Sequence, residues 1–162
     1  MDKSHLKPAH LRRIRSLALL DTSQLESFLD YVELLHCPQS QTLFREGQPG
    51  DSMFLILEGQ FRVYFKQRNG EVIFLRMLDA GEAFGEIALL NQVPRSASIE
   101  ATKQSLLIKI TAASLERLVS EQPALAAQFL YHLSRTLGRQ LSDLTKKLQV
   151  TRELASSVSF LE

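Results

Sequence analysis

Phe84-Gly85-Glu86-Ile87-Ala88-Leu89-Leu90-Asn91-Gln92-Val93-Pro94-Arg95-Ser96-Ala97-Ser98 concentrates more chemistry than any other stretch of the chain. Gly85 has no Cβ, so backbone and ligand can approach closely there. Residues 86–90 are long enough for one short helical turn, whose first amides have no acceptor inside the helix. Arg95 closes the segment. Helix-start amides together with a guanidinium make an anion site. Glu86 stands in the same cluster and accepts hydrogen bonds, so the expected anion must also carry hydroxyls. A ribose phosphate offers both. Taken alone, Arg95 is an ordinary surface arginine and Glu86 a helix-start acid; the fifteen-residue context is what gives them a joint reading.

Outward from this stretch the pattern is that of strands. Residues 42–111 hold six of the seven glycines (Gly47, Gly50, Gly59, Gly70, Gly81, Gly85), and helical spacing disappears. Residues 53–57, then Glu58-Gly59, then Phe61, Val63 and Phe65 predict two strands about a tight turn. Asn69-Gly70 predicts a hairpin into residues 72–78. Ile99 and residues 106–110 add two more short strands. Many short strands separated by turn residues imply a sandwich or barrel.

Helical period flanks this zone on both sides. Leu11, Ile14, Leu17, Ala18 and then Leu25, Phe28, Leu29, Val32 predict helix, break, helix, with Asp21, Thr22 or Ser23 as the N-cap of the second. After residue 112, Leu115, Leu118 and Val119 predict a short helix that Pro123 interrupts. Leu130, Leu133, Leu137, Leu141, Leu144, Leu148, Thr151, Ala155 and Val158 then hold a three-four alternation over about four heptads. So long an apolar stripe implies a partner helix, most simply from a second copy of the chain. The expected division is a helical segment over 1–35, strands over 36–111 and helices over 112–162.

Composition narrows the function. The chain has 162 residues, 44% of them hydrophobic, enough to bury a core in a single domain. Nineteen basic and eighteen acidic side chains leave a net charge of +1, so no bulk field holds nucleic acid or an anionic membrane. One cysteine, Cys37, excludes an internal disulfide and a four-thiolate metal site within one chain; it is expected to be a small buried apolar residue. His5, His10, His36 and His132 are scattered without metal-ligand spacing, so no metal is expected. No window approaches the roughly 18 apolar residues of a membrane span, and the N-terminus lacks the core of a signal peptide. The cytoplasm is the expected location.

Residues 84–98 resemble the phosphate-binding cassette of the cyclic nucleotide-binding domain, found in the bacterial catabolite activator family, in cyclic-nucleotide-dependent kinases and in cyclic-nucleotide-gated channels. Gly47-Gln48-Pro49-Gly50-Asp51 and Phe54-Leu55-Ile56-Leu57-Glu58-Gly59 are similar to glycine turns of the same fold. The resemblance implies an α+β fold: an antiparallel β-roll, or double-stranded jelly-roll barrel, flanked by N-terminal helices and a long C-terminal helix. It implies that Arg95 pairs with the cyclic phosphate and Glu86 accepts from the ribose 2′-hydroxyl. Amides around Gly85, Ala88 and Ser96 complete the cradle, with Phe84, Ile87 and Ala97 beside it. Ser96 stands where family members discriminate bases. The ligand expected is cAMP, possibly cGMP, with no further cofactor.

The same resemblance places a lid for the base on the long helix, in one of two registers: Leu144 with Thr145, or Thr151 of either subunit. The apolar stripe itself implies a parallel homodimer through Leu137, Leu141, Leu144 and Leu148, and an unidentified protein partner is expected. The chain ends at Glu162, too soon after Leu148 for a helix-turn-helix domain, so direct DNA binding is not expected. No nucleophile and base pair stands near the cassette, so a regulator rather than an enzyme is expected. A degenerate module that no longer binds nucleotide, and the sensor half of a longer transcription factor, are the alternatives.

Overall fold

A computed structural model describes residues 6–159, with side chains through residue 153. His5 and the side chains of Ala155 and Val158 therefore lie outside the described residues. The described chain forms two four-stranded antiparallel sheets with helices before and after them. This is the β-roll fold that the resemblance implies.

The N-terminal part is less helical than its spacing predicts. α1 is only Pro8–Leu11, and the chain continues in turns: Ile14 N–H donates to Leu11 O, Leu17 to Ile14 and Leu20 to Leu17, each at 3.0–3.1 Å. A turn repeated every three residues buries Leu11, Ile14, Leu17 and Leu20 and leaves Ala18 exposed. α2 (Thr22–Phe28) opens with a reciprocal capping box. Asp21 accepts from the Gln24 amide at 2.8 Å, and the Gln24 side chain accepts from the Asp21 amide at 2.9 Å. A 3-10 turn, Leu29–Tyr31, ends this segment. Strand then begins at Glu33, earlier than the expected boundary at residue 36.

The first sheet has the order β1 (Glu33–Cys37), β8 (Ser105–Thr111), β3 (Ser52–Glu58), β6 (Ala83–Phe84). The second has the order β2 (Thr42–Phe44), β7 (Ser98–Ala101), β4 (Gln60–Lys66), β5 (Val72–Asp79). The three elements that the sequence pattern missed, β1, β2 and β6, are all edge strands, and two of them hold only two or three residues. Pairing, not local pattern, defines such strands.

β3 explains how the two halves of the molecule join. Six of its seven residues are buried, because its alternate faces belong to different cores. Phe54 and Ile56 point into the roll with Cys37, Phe61, Leu78, Phe84 and Leu107. Met53, Leu55 and Leu57 point outward beneath the helices. α4 (Ala112–Glu121) and α5 (Pro123–Ser159) cover that outer face through Leu118, Leu125, Ala126, Phe129 and Leu133. Leu137 packs at the margin of the same core, and beyond it Leu141, Leu144 and Leu148 are exposed. Leu137 is only partly buried, whereas the other three leucines of the expected seam are open to solvent.

Candidate functional site

β6 ends in Phe84, and Gly85 turns the chain into α3 (Glu86–Asn91) with φ +82°. That left-handed conformation suits glycine, and a second constraint acts on the same residue. A Cβ here would lie 2.8 Å from Arg95 Nη1 and 3.0 Å from Ser52 O. Gly50 makes the matching allowance from the other side, where a Cβ would meet Arg95 Nε at 2.6 Å. The loop carrying Gly50 is strapped to the cassette by two backbone bonds, Gly47 N–H to Arg95 O at 2.8 Å and Arg95 N–H to Gln48 O at 2.9 Å. Both glycine-bearing stretches therefore shape one arginine pocket.

Arg95 is 6% exposed. Its Nη1 donates to Ser52 O at 2.6 Å and Gly85 O at 3.2 Å, and its Nη2 donates to Ser52 Oγ at 3.1 Å. The guanidinium lies over the Phe44 ring, 4.1 Å from its centroid. Nε is buried without a partner, and no carboxylate stands at ion-pair distance among the described residues. Burial pushes the Arg95 pKa down, opposed by the charges of Asp51 and Glu86. Arginine nevertheless stays charged in proteins. A buried cation held only by neutral acceptors is costly unless an anion joins it.

Glu86 is the other half of the site. Burial pushes its carboxyl above the usual carboxylate range; its own backbone amide and the charges of Arg76 and Arg95 act in the opposite direction. Oε2 is buried with no hydrogen-bond partner. The same cavity lining thus holds an unmatched donor and an unmatched acceptor, the pair that a hydroxyl-bearing anion would satisfy.

Glu86 and Arg95 both line a cavity of about 490 Å³. Phe84, Gly85, Glu86, Ile87 and Ala88 line it from the cassette, with Arg95, Ser96 and Ala97. Phe44, Val63, Leu75, Arg76, Leu78 and Ile99 line it from the roll, and Gln140, Asp143, Leu144 and Lys147 from α5. Of the expected lid residues, Leu144 lines the cavity. Thr145 and Thr151 do not; their hydroxyls donate to the Leu141 and Lys147 carbonyls one turn back along the helix. Phe44, Ser52, Arg76 and the polar α5 residues escaped the sequence reading. Gln140, Asp143 and Lys147 had a usable signal, since each directly precedes a leucine of the stripe and so repeats its period on the adjoining face.

Among the described residues no helix is long and apolar enough to cross a membrane. Comparison with known proteins agrees with the geometry. The chain is 28% identical over 127 residues to an NTE family protein of Mycobacterium tuberculosis, covering 78% of this chain and 21% of that protein. It is 27% identical over 131 residues to the cyclic AMP receptor protein of Thermus thermophilus, covering 81% of this chain and 59% of that one. The chain thus spans between about a fifth and three fifths of these relatives. A crystal structure of a cyclic nucleotide-binding domain from Methylobacillus flagellatus superposes with a TM-score of 0.76 at 23% identity, over 84% of this chain and 80% of that one. The sequence pattern of the cyclic nucleotide-binding domain matches residues 34–122, more than half of the chain and the whole of the arginine site, and the chain belongs to that family.

Proposed function

We propose that the chain is a sensor of a 3′,5′-cyclic purine nucleotide, cAMP or cGMP, rather than an enzyme. Arg95 takes the cyclic phosphate, Glu86 accepts from the ribose 2′-hydroxyl, and α5 lies across the base. The observation that carries this reading is the buried Arg95 guanidinium without a counter-ion, next to a carboxylate oxygen without a donor. A cyclic phosphodiester brings one negative charge, which one guanidinium neutralises. A module that had lost its ligand would have no reason to keep both unmatched groups.

Signalling then runs through α5. Leu141, Leu144 and Leu148 are exposed and in register for a parallel homodimer, and the dimer passes the signal to a partner protein in the cytoplasm. Thermal denaturation tests the binding step. A nucleotide at 100 times its Kd stabilises the folded chain by about 2.7 kcal/mol, which raises Tm by several degrees. The linear 5′-monophosphate, a dianion without the ring, should raise it less. Equal Tm values with and without cyclic nucleotide at millimolar concentration overturn the proposal.

A further inference from the structure

A guanidinium has five N–H donors in one plane, and three of those of Arg95 are taken within the chain. Nη1 donates to Ser52 O at 2.6 Å and to Gly85 O at 3.2 Å, and Nη2 donates to Ser52 Oγ at 3.1 Å. Ser52 thus accepts with both of its oxygens, across the end of the guanidinium. The two donors left over are Nε–H and the second Nη2–H, which are neighbours along the side of the group. Nε is buried without a partner. A Cβ at position 50 would lie 2.6 Å from Nε and 2.8 Å from Cζ, so glycine leaves room there.

Two contacts hold the group in different directions. The Phe44 ring, with its centroid 4.1 Å from Cζ, supports the guanidinium face and so limits tilting. A pivot about Nη1 within the plane remains, because carbonyl oxygens accept over a broad range of angles. Ser52 Oγ opposes that pivot. Ser52 is itself well anchored: it is the first residue of β3, pairs with Thr111 of β8 and is 3% exposed. A cyclic phosphodiester has two non-bridging oxygens, and a side-on fork of Nε–H and Nη2–H can take both. Those oxygens are not equivalent, since one is axial and the other equatorial on the phosphate ring.

We propose that Ser52 is a positioning residue. By occupying the end of the Arg95 guanidinium, it reserves the side-on fork for the phosphate and makes the site tell the two non-bridging oxygens apart. The inference rests on the cyclic nucleotide reading of the cassette and adds to it the residue that orients the arginine.

Isothermal titration of the full chain with cAMP and with its Rp and Sp phosphorothioates tests this, since each analogue carries sulfur in place of one non-bridging oxygen. Sulfur is a weak acceptor. The parent should therefore bind one diastereomer about tenfold more tightly than the other. Ser52→Ala should bind cAMP about tenfold more weakly than the parent, and its two diastereomers should differ by less than about threefold. Ser52→Thr, which keeps the hydroxyl, should restore both the affinity and the preference. A merely structural role for Ser52 would weaken all three ligands alike and leave the preference unmoved. Melting curves of the unliganded chains verify the fold, and Ser52→Cys, with a weakly accepting sulfur, takes the place of Ser52→Ala if that chain does not fold. Equal affinity of the parent for the two diastereomers, or a preference that the loss of the hydroxyl leaves unchanged, overturns the inference and leaves the cassette reading intact. Failure of the parent to bind cAMP, cGMP or either phosphorothioate overturns both.

Discussion

Glu86 carries a pH signature that belongs to the ligand-free site. Its carboxyl sits above the usual range because burial disfavours the charge. In the unliganded chain a raised folded pKa means that the native state keeps its proton to higher pH than the unfolded chain does. This group's contribution to stability is therefore present at low pH and lost as pH rises from the unfolded carboxylate value to the raised one. A ribose hydroxyl donated to the ionised carboxylate favours the charged form and lowers the pKa again. Nucleotide binding should thus release protons within this window, and affinity should weaken as pH falls through it. Titration in two buffers of different ionisation enthalpy measures the proton release, and Glu86→Gln should abolish it. Proton uptake by the parent would contradict the role given to Glu86. At this scale the sequence is informative where one contiguous stretch holds the chemistry, as residues 84–98 do. It is silent on Ser52, which lies 43 positions from Arg95 along the chain, and on Phe44, which lies further still; the sheets bring both to the guanidinium.

α5 is one helix in two environments, and its leucine stripe conceals the change between them. Leu133 is 2% exposed in the core, whereas Leu141 is 67% exposed two turns on. The period is unbroken across the change, so spacing alone cannot say where the core ends. Spacing also predicts helix in residues 11–20, where turns every three residues bury Leu11, Ile14, Leu17 and Leu20 in nearly the rhythm of a helix face. For the exposed half of α5 the expected outcome is specific. The double variant Leu141→Glu, Leu148→Glu should sediment as a monomer where the parent sediments as a dimer, since it places charges in the proposed seam while the core residues of α5 are untouched. A parent already monomeric at tens of micromolar contradicts the dimer.

Across the whole molecule, the two cores decide which elements pack against one another, and the proposed signal would follow that packing. Leu89 is 5% exposed and belongs to the core that holds Leu125, Ala126, Phe129 and Leu133 of α5, whereas the neighbouring Leu90 is 44% exposed. In the proposed sensor, ordering α3 around a phosphate would act on α5 through Leu89. Gln140, Asp143, Leu144 and Lys147 of α5 line the cavity itself. The shift cannot exceed the ligand's differential affinity for the two helix positions. Hydrogen exchange with and without nucleotide should show protection at residues 84–98 and also at 137–152. Protection limited to the cassette would mean that binding does not reach the helix.

The pairing of an anion with the buried guanidinium is the central claim, and one comparison tests it most directly: isothermal titration of the parent and of Arg95→Ala with cGMP and cAMP. Removing one partner of a desolvated charge pair costs about 2 to 5 kcal/mol. The variant is therefore predicted to lose at least about 30-fold in affinity for both nucleotides. An Arg95→Ala chain that binds them as tightly as the parent would contradict the account.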